Sequence, residues 1–561
     1  MKKLTPAQMK KRQDRAFKNK IRNIFVNAGF EYLNTENKHI KIGHRTIEID
    51  AVFFYENILL VCEDTGTTAH VKDHIRNKKE AFDEIQNHKS DFHKWICAAF
   101  PEKAESLEEY SADRYHIFNL YFSQYELNLT NDDFNLYSNI KFIEPHTLNY
   151  FHRMMQCIRK SVRFEIFRFL DIRTCDIGLS SSESSRKTIK APIICPKEST
   201  GLKNGVRVVS FMMSADSLIS TCYVLRKDNW EDSIQIYQRL IEKDKIKSIR
   251  EFLAKKGEAF FNNIIVGLPD KVRFANANGN PISIDQIGDY QNCQMEIPNE
   301  MNSICVIDGQ HRIYAHYEGF ENDKNERKIS QLRKKLHLLV TGLIFPSNMS
   351  NIDKAQIQSQ IFLDINSTAK PVPADVLLHI EMIKDPYSDI GLARQVIERL
   401  NKENIFLNMF ELSLLDESKI KVASIIKFAL RYLVTLHPSE SRVSFYNFWS
   451  GDKNALAKKD TQACEEYIKF CVANLALYFS AVRKNFINVW SDHSSKILSV
   501  TSINGFIIAY YRQLAKNGMR EYTFFEECFK HLSVDFSKEN FPYTSSQYRK
   551  FSDQIMYEAF M

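Results

Sequence analysis

Glycine and proline are scarce in this 561-residue chain, at 17 and 14. That excludes collagen-like, proline-rich and long flexible designs. No apolar run approaches the ~18–20 residues needed to span a bilayer; Leu336–Phe345 is among the longest and reads as a buried strand. No membrane association is expected, and a cytoplasmic location is. The eleven cysteines form no CxxC pair and no zinc-like Cys/His spacing, and their number is odd. They read as reduced, mostly buried thiols of an intracellular protein. Acidic residues are almost missing from Met1–Asn23, which holds nine Lys/Arg against Asp14. With no apolar core to the segment, a secretory signal is not expected. The pattern runs directly into Ile21, Ile24, Phe25 and Phe30, as a basic first helix of a folded domain would. No internal repeat is evident.

What is present is ordinary globular material. Hydrophobic residues make up 44% and charged residues 26%, which excludes a largely disordered chain. The length implies about three folded units. Net charge is +7, from 76 basic and 69 acidic residues; this permits a polyanionic partner without singling one out.

Hydrophobic periodicity predicts a mixed α/β protein with a helical C-terminal end. Helical spacing over Gln13–Ala28 precedes strand-like alternation over Lys41–Asp64. Helical spacing returns over Lys72–Phe100, followed by strands at Tyr115–Phe122 and Ile140–Glu144 and a helix over about Leu148–Leu170. A first domain over residues 1–172 follows from this. Ser180–Lys187 is serine-rich, and residues 173–204 read as a linker. A second α/β domain, 205–379, is expected from strands at Val206–Phe211, Asn263–Val266, Ser303–Asp308 and Leu336–Phe345. Helices over Ile234–Lys256, from Gln310 and over Ile352–Asp364 complete it. Residues 380–561 read as helical, with scaffolding or self-association into a homo-oligomer as their expected use.

Two constellations carry chemistry. In Arg45–Thr65 two alternating runs flank Glu56-Asn57, and Asn tolerates the positive φ of a tight hairpin turn. A two-residue loop pairs Tyr55 with Ile58, which sets Asp50 opposite Glu63 and Glu48 opposite Thr65, all on one face. Ile47, Ile49, Ala51, Phe53, Ile58, Leu60 and Cys62 then form a core on the other. Opposed carboxylates about 5 Å apart repel, and a divalent cation such as Mg²⁺ or Mn²⁺ reverses that sign. The alternative is a slipped register with solvent-facing acids on an edge hairpin.

The order of Asp50, an apolar hairpin and Glu63 resembles the PD-(D/E)xK nuclease superfamily over about Ala16–Asn149. The resemblance implies a restriction-endonuclease-like domain in which Asp50 and Glu63 bind metal. A Lys two residues after the Glu would position or activate water, and here that place is Thr65. Lys72, Arg76 and Lys79 share one face of the following helix. A solvated basic face is the first reading of these three; the other is that one of them, with Lys72 as the candidate, replaces the missing lysine from outside the motif.

The second constellation is Asp308-Gly309-Gln310-His311-Arg312, read as a buried strand, a glycine turn and an amphipathic helix. A helix N-terminus attracts phosphate, and Arg312 suits a bidentate grip on an oxyanion. The same residues also permit a buried ion pair with Asp308 that merely pins the turn. The pentapeptide resembles DGQHR-domain proteins, a group that includes DndB and is associated with DNA phosphorothioation gene clusters. More distantly it resembles the ParB/sulfiredoxin superfamily. Tyr237-Gln238-Arg239, the Phe261–Val266 strand entry, and Phe362, Asn366 and Lys370 match further family positions. Over Val206–His379 the resemblance implies a phosphate- or nucleotide-binding site that includes Arg239, Asn366 and Lys370. Asn366 could equally be a helix C-cap.

Together these features imply a bacterial DNA-acting protein of the DNA-modification or phage-defence type. DNA is its expected partner, bound through the DGQHR domain. Mg²⁺ or Mn²⁺ and a nucleotide are the expected cofactors, and metal-dependent DNA cleavage or NTP turnover the expected enzymology. The alternatives are a non-catalytic DNA-binding regulator and an NTP-binding sensor with a degenerate nuclease domain.

Overall fold

Thr5 opens the first helix with a capping box: its hydroxyl accepts from the Gln8 N–H, and the Gln8 side chain accepts from the Thr5 N–H. The helix then runs Pro6–Asn27 in the computed structural model. That model describes residues 5–560 apart from 44, 68, 179–185, 196–199, 203–204, 227–229, 231–237, 239, 261, 285–286, 288–292, 367–373, 413–418, 440–441 and 493. Gly29, at φ 93°, turns the chain out of the helix.

Seven strands follow: β1 (Glu31–Leu33), β2 (His39–Ile42), β3 (Arg45–Glu48), β4 (Ala51–Tyr55), β5 (Ile58–Thr65), β6 (His116–Ser123) and β7 (Ile140–Ile143). Five of them form one sheet in the order β1-β4-β5-β6-β7. β1, β4 and β5 are antiparallel, while β6 and β7 continue parallel to β5. Phe25 of the first helix stacks on Phe53 at 4.9 Å on one face. The helix Val71–Asn87 buries Ile75, Phe82 and Ile85 with Val52, Phe54, Leu59 and Val61 on the other. Both faces are therefore covered, which is why β4 and β5 are apolar at consecutive positions.

The periodic stretch 72–100 is two helices, Val71–Asn87 and Lys89–Ala99, broken at His88. The strand expected over 45–55 is also broken. β3 pairs with β2 as a separate hairpin that puts Glu48 opposite His39, not Thr65. The bend at Ile49–Asp50 moves Ile47 and Ile49 into the core beneath the Val71–Asn87 helix, against the alternation expected of one continuous strand.

The central region adds β8 (Arg186–Lys190), β9 (Ile193–Ile194), β10 (Arg207–Ser214), β11 (Cys222–Tyr223), β12 (Ile264–Gly267), β13 (Arg273–Asn276), β14 (Pro281–Ile282), β15 (Cys293–Pro298), β16 (Ile304–Asp308) and β17 (His337–Ile344). A mixed six-stranded sheet has the order β11-β16-β12-β17-β10-β9, and an antiparallel sheet the order β14-β13-β15-β8. The segment expected to be a linker thus supplies β8 and β9; Ser180–Ser185 lie outside the described residues.

From Asn351 the chain is helical. Its longest helices, Thr461–Asn485 and Val500–Asn517, stack Tyr478 on Tyr510 at 4.3 Å in a large aromatic core. A two-residue parallel pair, Phe410–Glu411 with Ile420–Lys421, is the strand content of this region among the described residues. The architecture is mixed α/β with a helical C-terminal region.

The chain divides into two compact units, residues 1–231 with 240–349, and 232–239 with 350–561. The helix Asn351–Asn366 accordingly groups with the C-terminal helices. Among the described residues no helix is long and apolar enough to cross a membrane. All eleven cysteines are free thiols.

Candidate functional site

The hairpin between β4 and β5 has the register of a two-residue turn: Tyr55 pairs with Ile58 and Ala51 with Cys62. Glu56, not Asn57, takes the positive φ, at 49°. The Asn57 amide is used elsewhere, donating to the Arg114 and Asp176 carbonyls and accepting from the Gly178 N–H. One residue beyond the pairing, Asp50 accepts from the Asp64 N–H at 2.9 Å. Glu63 is the neighbour of Asp64 on β5, and Asp50 and Glu63 each bear on the other's ionisation. Glu63 is 1% exposed, and its Oε1 is buried with no donor among the described residues. Two carboxylates that interact in this way need a shared proton or a cation between them.

Lysines supply much of the positive charge. Lys18, from the first helix, lies 2.8 Å from Glu36, 3.1 Å from Asp50 and 3.4 Å from Asp64. Burial pulls the Lys18 ammonium down, but those three acids outweigh it and raise its pKa. Lys78 reaches Glu63 Oε2 at 2.8 Å. Burial, then the Asp50 charge, pushes Glu63 well above the usual carboxylate range against the pull of Lys78. The same two causes push Asp64 up to about 7. Asp50 goes the other way: burial opposes ionisation, but hydrogen bonds from Glu63, the Asp64 N–H and Lys18 win.

Thr65 is buried on the same strand and its hydroxyl accepts from the Thr67 N–H at 3.4 Å, while the Tyr121 hydroxyl on β6 hydrogen-bonds to His74 Nδ1 at 2.7 Å. The expected lysine substitutes are engaged elsewhere. Lys72 pairs with Asp133 at 2.6 Å, Arg76 with Asp73 at 2.8 Å and Lys79 with Asp83 at 2.6 Å. Lys78, missed from sequence, lies three residues after buried Ile75 and four before buried Phe82. A lysine on the apolar stripe was the available signal.

At the second constellation Gly309 adopts φ 104°, and a Cβ there would come 3.1 Å from Ile264 Cγ1 and from Arg312 Nη2. Glycine is required by both backbone and space. The helix that follows, Gln310–Tyr314, is one short turn rather than the amphipathic helix expected. Arg312 Nη2 donates to Asp308 Oδ2 at 2.5 Å and to the Asn263 carbonyl at 2.6 Å, so the arginine pins the turn to β12's entry. His311 Nε2 accepts from the Glu242 N–H at 3.0 Å, at the start of the helix Lys243–Lys256.

Gln310 is buried and accepts from Arg226 Nε at 3.1 Å. Arg226 is fully buried and also donates to Glu165 at 2.5 Å and to the Tyr150 hydroxyl at 3.0 Å. The motif is therefore tied to the first α/β layer through a buried ion pair. Asn366 ends its helix by donating back to the Phe362 carbonyl at 2.7 Å. Arg239 and Lys370 lie outside the described residues.

Among the described residues no group of three or more His, Cys, Asp and Glu is arranged to hold a metal ion. No curated protein and no solved structure matches the chain. A family model described as "DndB: DNA-sulfur modification-associated" matches residues 199–540, more than half the chain and inclusive of the DGQHR turn. On that match the chain belongs to the DndB family, associated with DNA-sulfur modification.

Proposed function

We propose that the protein acts on DNA in a DNA-modification setting, with a nuclease-like metal site in its first α/β layer. The observation that carries this reading is the placement of Asp50 one residue beyond the β4–β5 pairing, on the Asp64 N–H beside buried Glu63, with Lys78 on Glu63 Oε2 and Oε1 lacking a donor among the described residues. That donor set fits a small hard cation such as Mg²⁺ or Mn²⁺: two adjacent carboxylates relieve their repulsion on it, and the orphaned Oε1 gains a partner. Asp50 and Glu63 would hold the ion. When bound, it supplies a water of lowered pKa and a counter-charge for a phosphodiester. Lys78 positions Glu63 and stands where a positive charge can face a scissile phosphate. The order of strands, three antiparallel and then parallel after intervening helices, supports the resemblance to PD-(D/E)xK nucleases.

The test is supercoiled plasmid with purified protein, with and without Mg²⁺ or Mn²⁺. Nicking that needs metal, and that disappears in Asp50→Asn, Glu63→Gln and Lys78→Ala while DNA binding survives, is the expected result. DNA shifted but never cut, at any metal concentration, would instead favour a non-catalytic regulator. Thr65 and the two-carboxylate donor set favour that second reading. Membership of the DndB family supports DNA as partner under both readings.

A further inference from the structure

The helix Lys243–Lys256 begins at the wall of a cleft of about 620 Å³. Its other walls are the end of the helix Pro145–Ile158 with Arg159, and the loop that follows the DGQHR turn. Five cations line it against two carboxylates. Arg250, buried in the lining, binds Asp323, Glu326 and the Ala315 and Tyr317 carbonyls through Nη1 and Nη2, and its Nε has no partner among the described residues. Arg159, Lys243, Lys247 and Lys324 have no ion pair among the described residues. With Glu251 and Asp323 the only carboxylates among the described residues of the lining, these four cations leave the cleft with a net positive charge that favours an anion.

Two further features point the same way. Arg159 holds φ 48°, ψ −126°, a backbone conformation a bulky L-residue rarely adopts. Strain of this kind persists where the side chain must be aimed. Lys243 and Lys247 sit on the first turns of a 14-residue helix, whose positive end adds to their charge. That helix start is itself fixed by the motif, through the Glu242 N–H to His311. Beside the cations the cleft offers the Tyr317 and Phe320 rings and the Asn322 and Asn325 amides.

We propose that this cleft binds a nucleoside phosphate, its phosphates among Arg159, Lys243, Lys247 and Lys324 and its base against the ring and amide wall. The volume lies within the range of small-ligand sites. The site uses neither the Asp50–Glu63 pair nor the Arg312 guanidinium, and it stands whether or not the protein cuts DNA.

Calorimetry of the full chain in EDTA with ATP, GTP, AMP and inorganic tripolyphosphate tests it. Micromolar binding of at least one nucleotide is expected, with tripolyphosphate weaker. Lys247→Ala, at an exposed position, should weaken binding roughly tenfold, and Lys243→Ala with Lys247→Ala on the order of a hundredfold. Arg159→Gly separates ligand binding from folding: it relieves the strained φ, so thermal stability should hold or rise while nucleotide affinity falls. No binding at millimolar nucleotide would overturn the proposal, as would unchanged affinity in the lysine variants. Arg159→Gly losing stability but not affinity would also overturn it. Tripolyphosphate binding as tightly as ATP would overturn the nucleoside part, and an effect of the variants on duplex DNA alone would overturn the small-ligand site.

Discussion

A lysine on the buried stripe of a helix fixes how the carboxylate pair behaves. Glu63 shares its space with Asp50 and draws compensation from Lys78. In metal-free protein Glu63 and Asp64 hold protons that the unfolded chain has already released above ordinary carboxylate pKa values. The folded state then binds more protons than the unfolded one, so this contribution to stability is present at low pH and lost as pH rises through about 7, the Asp64 value. Mg²⁺ or Mn²⁺ competes with those protons, so the rise in Tm on adding metal should be larger at pH 8 than at pH 6. Glu63→Gln should abolish the metal response at both, and in metal-free buffer at pH 8 be neutral or stabilising, because the amide is uncharged beside Asp50 without having to take up a proton. A Tm shift in Glu63→Gln equal to wild type would show that the cation binds elsewhere. The pairing of Tyr55 with Ile58 and of Ala51 with Cys62 was legible from strand period and turn length, whereas the bend at Asp50 was not. Lys78 was legible in principle, from its spacing to Ile75 and Phe82, but the charge pattern of Lys72, Arg76 and Lys79 pointed to the outer face.

For single elements, the DGQHR turn is an architectural joint. Arg312 pins β16 to the chain entering β12, while Gln310 receives the fully buried Arg226. Arg226→Ala would strand Glu165 in the interior, and breaking a buried pair of this kind costs about 3–5 kcal/mol. Paired replacement, Arg226→Met with Glu165→Leu, should recover most of that loss, because the uncompensated charge is gone. Urea unfolding of the two variants checks this; equal destabilisation would mean that the ion pair itself, not the orphaned charge, carries the stability. Arg312→Ala should cost roughly 1–3 kcal/mol through the unpaired Asn263 carbonyl and Asp308. DNA binding per folded molecule should remain unchanged, and a tenfold loss of binding at full stability would return Arg312 to phosphate recognition. The clamp was not legible in the sequence, since Tyr150, Glu165 and Arg226 are distant in the chain and meet only after the two layers pack. The short helix after Gly309 escaped for a related reason: Ile313, Tyr317 and Phe320 have helical spacing, yet Arg250 and Arg333 bind the carbonyls of residues 315–317 and fix the chain as a loop.

For the whole molecule, the basic excess is small, and much of it is internally paired, so a DNA partner must be met by a localised set of free cations. The first helix carries one. Lys18 is committed to Glu36, Asp50 and Asp64, and Arg22 lies over the Tyr32 ring at 4.7 Å. Lys10, Lys11, Arg12 and Arg15 are exposed and have no ion pair among the described residues. Truncating the helix would also remove buried Phe17 and Ile21 and release Asp50 from Lys18, confounding binding with folding. Replacing Lys10, Lys11, Arg12 and Arg15 together by alanine leaves that packing intact and preserves helix propensity. If they contact phosphates, DNA affinity should fall most at low salt. The slope of log K against log salt should flatten by about 0.9 for each phosphate left unneutralised. Fluorescence anisotropy on a fixed duplex across a salt series reads both quantities at once. An unchanged slope with wild-type affinity would remove the first helix from the interface and leave these side chains as its solvated face, with the DNA contact to be sought on the matched 199–540 span.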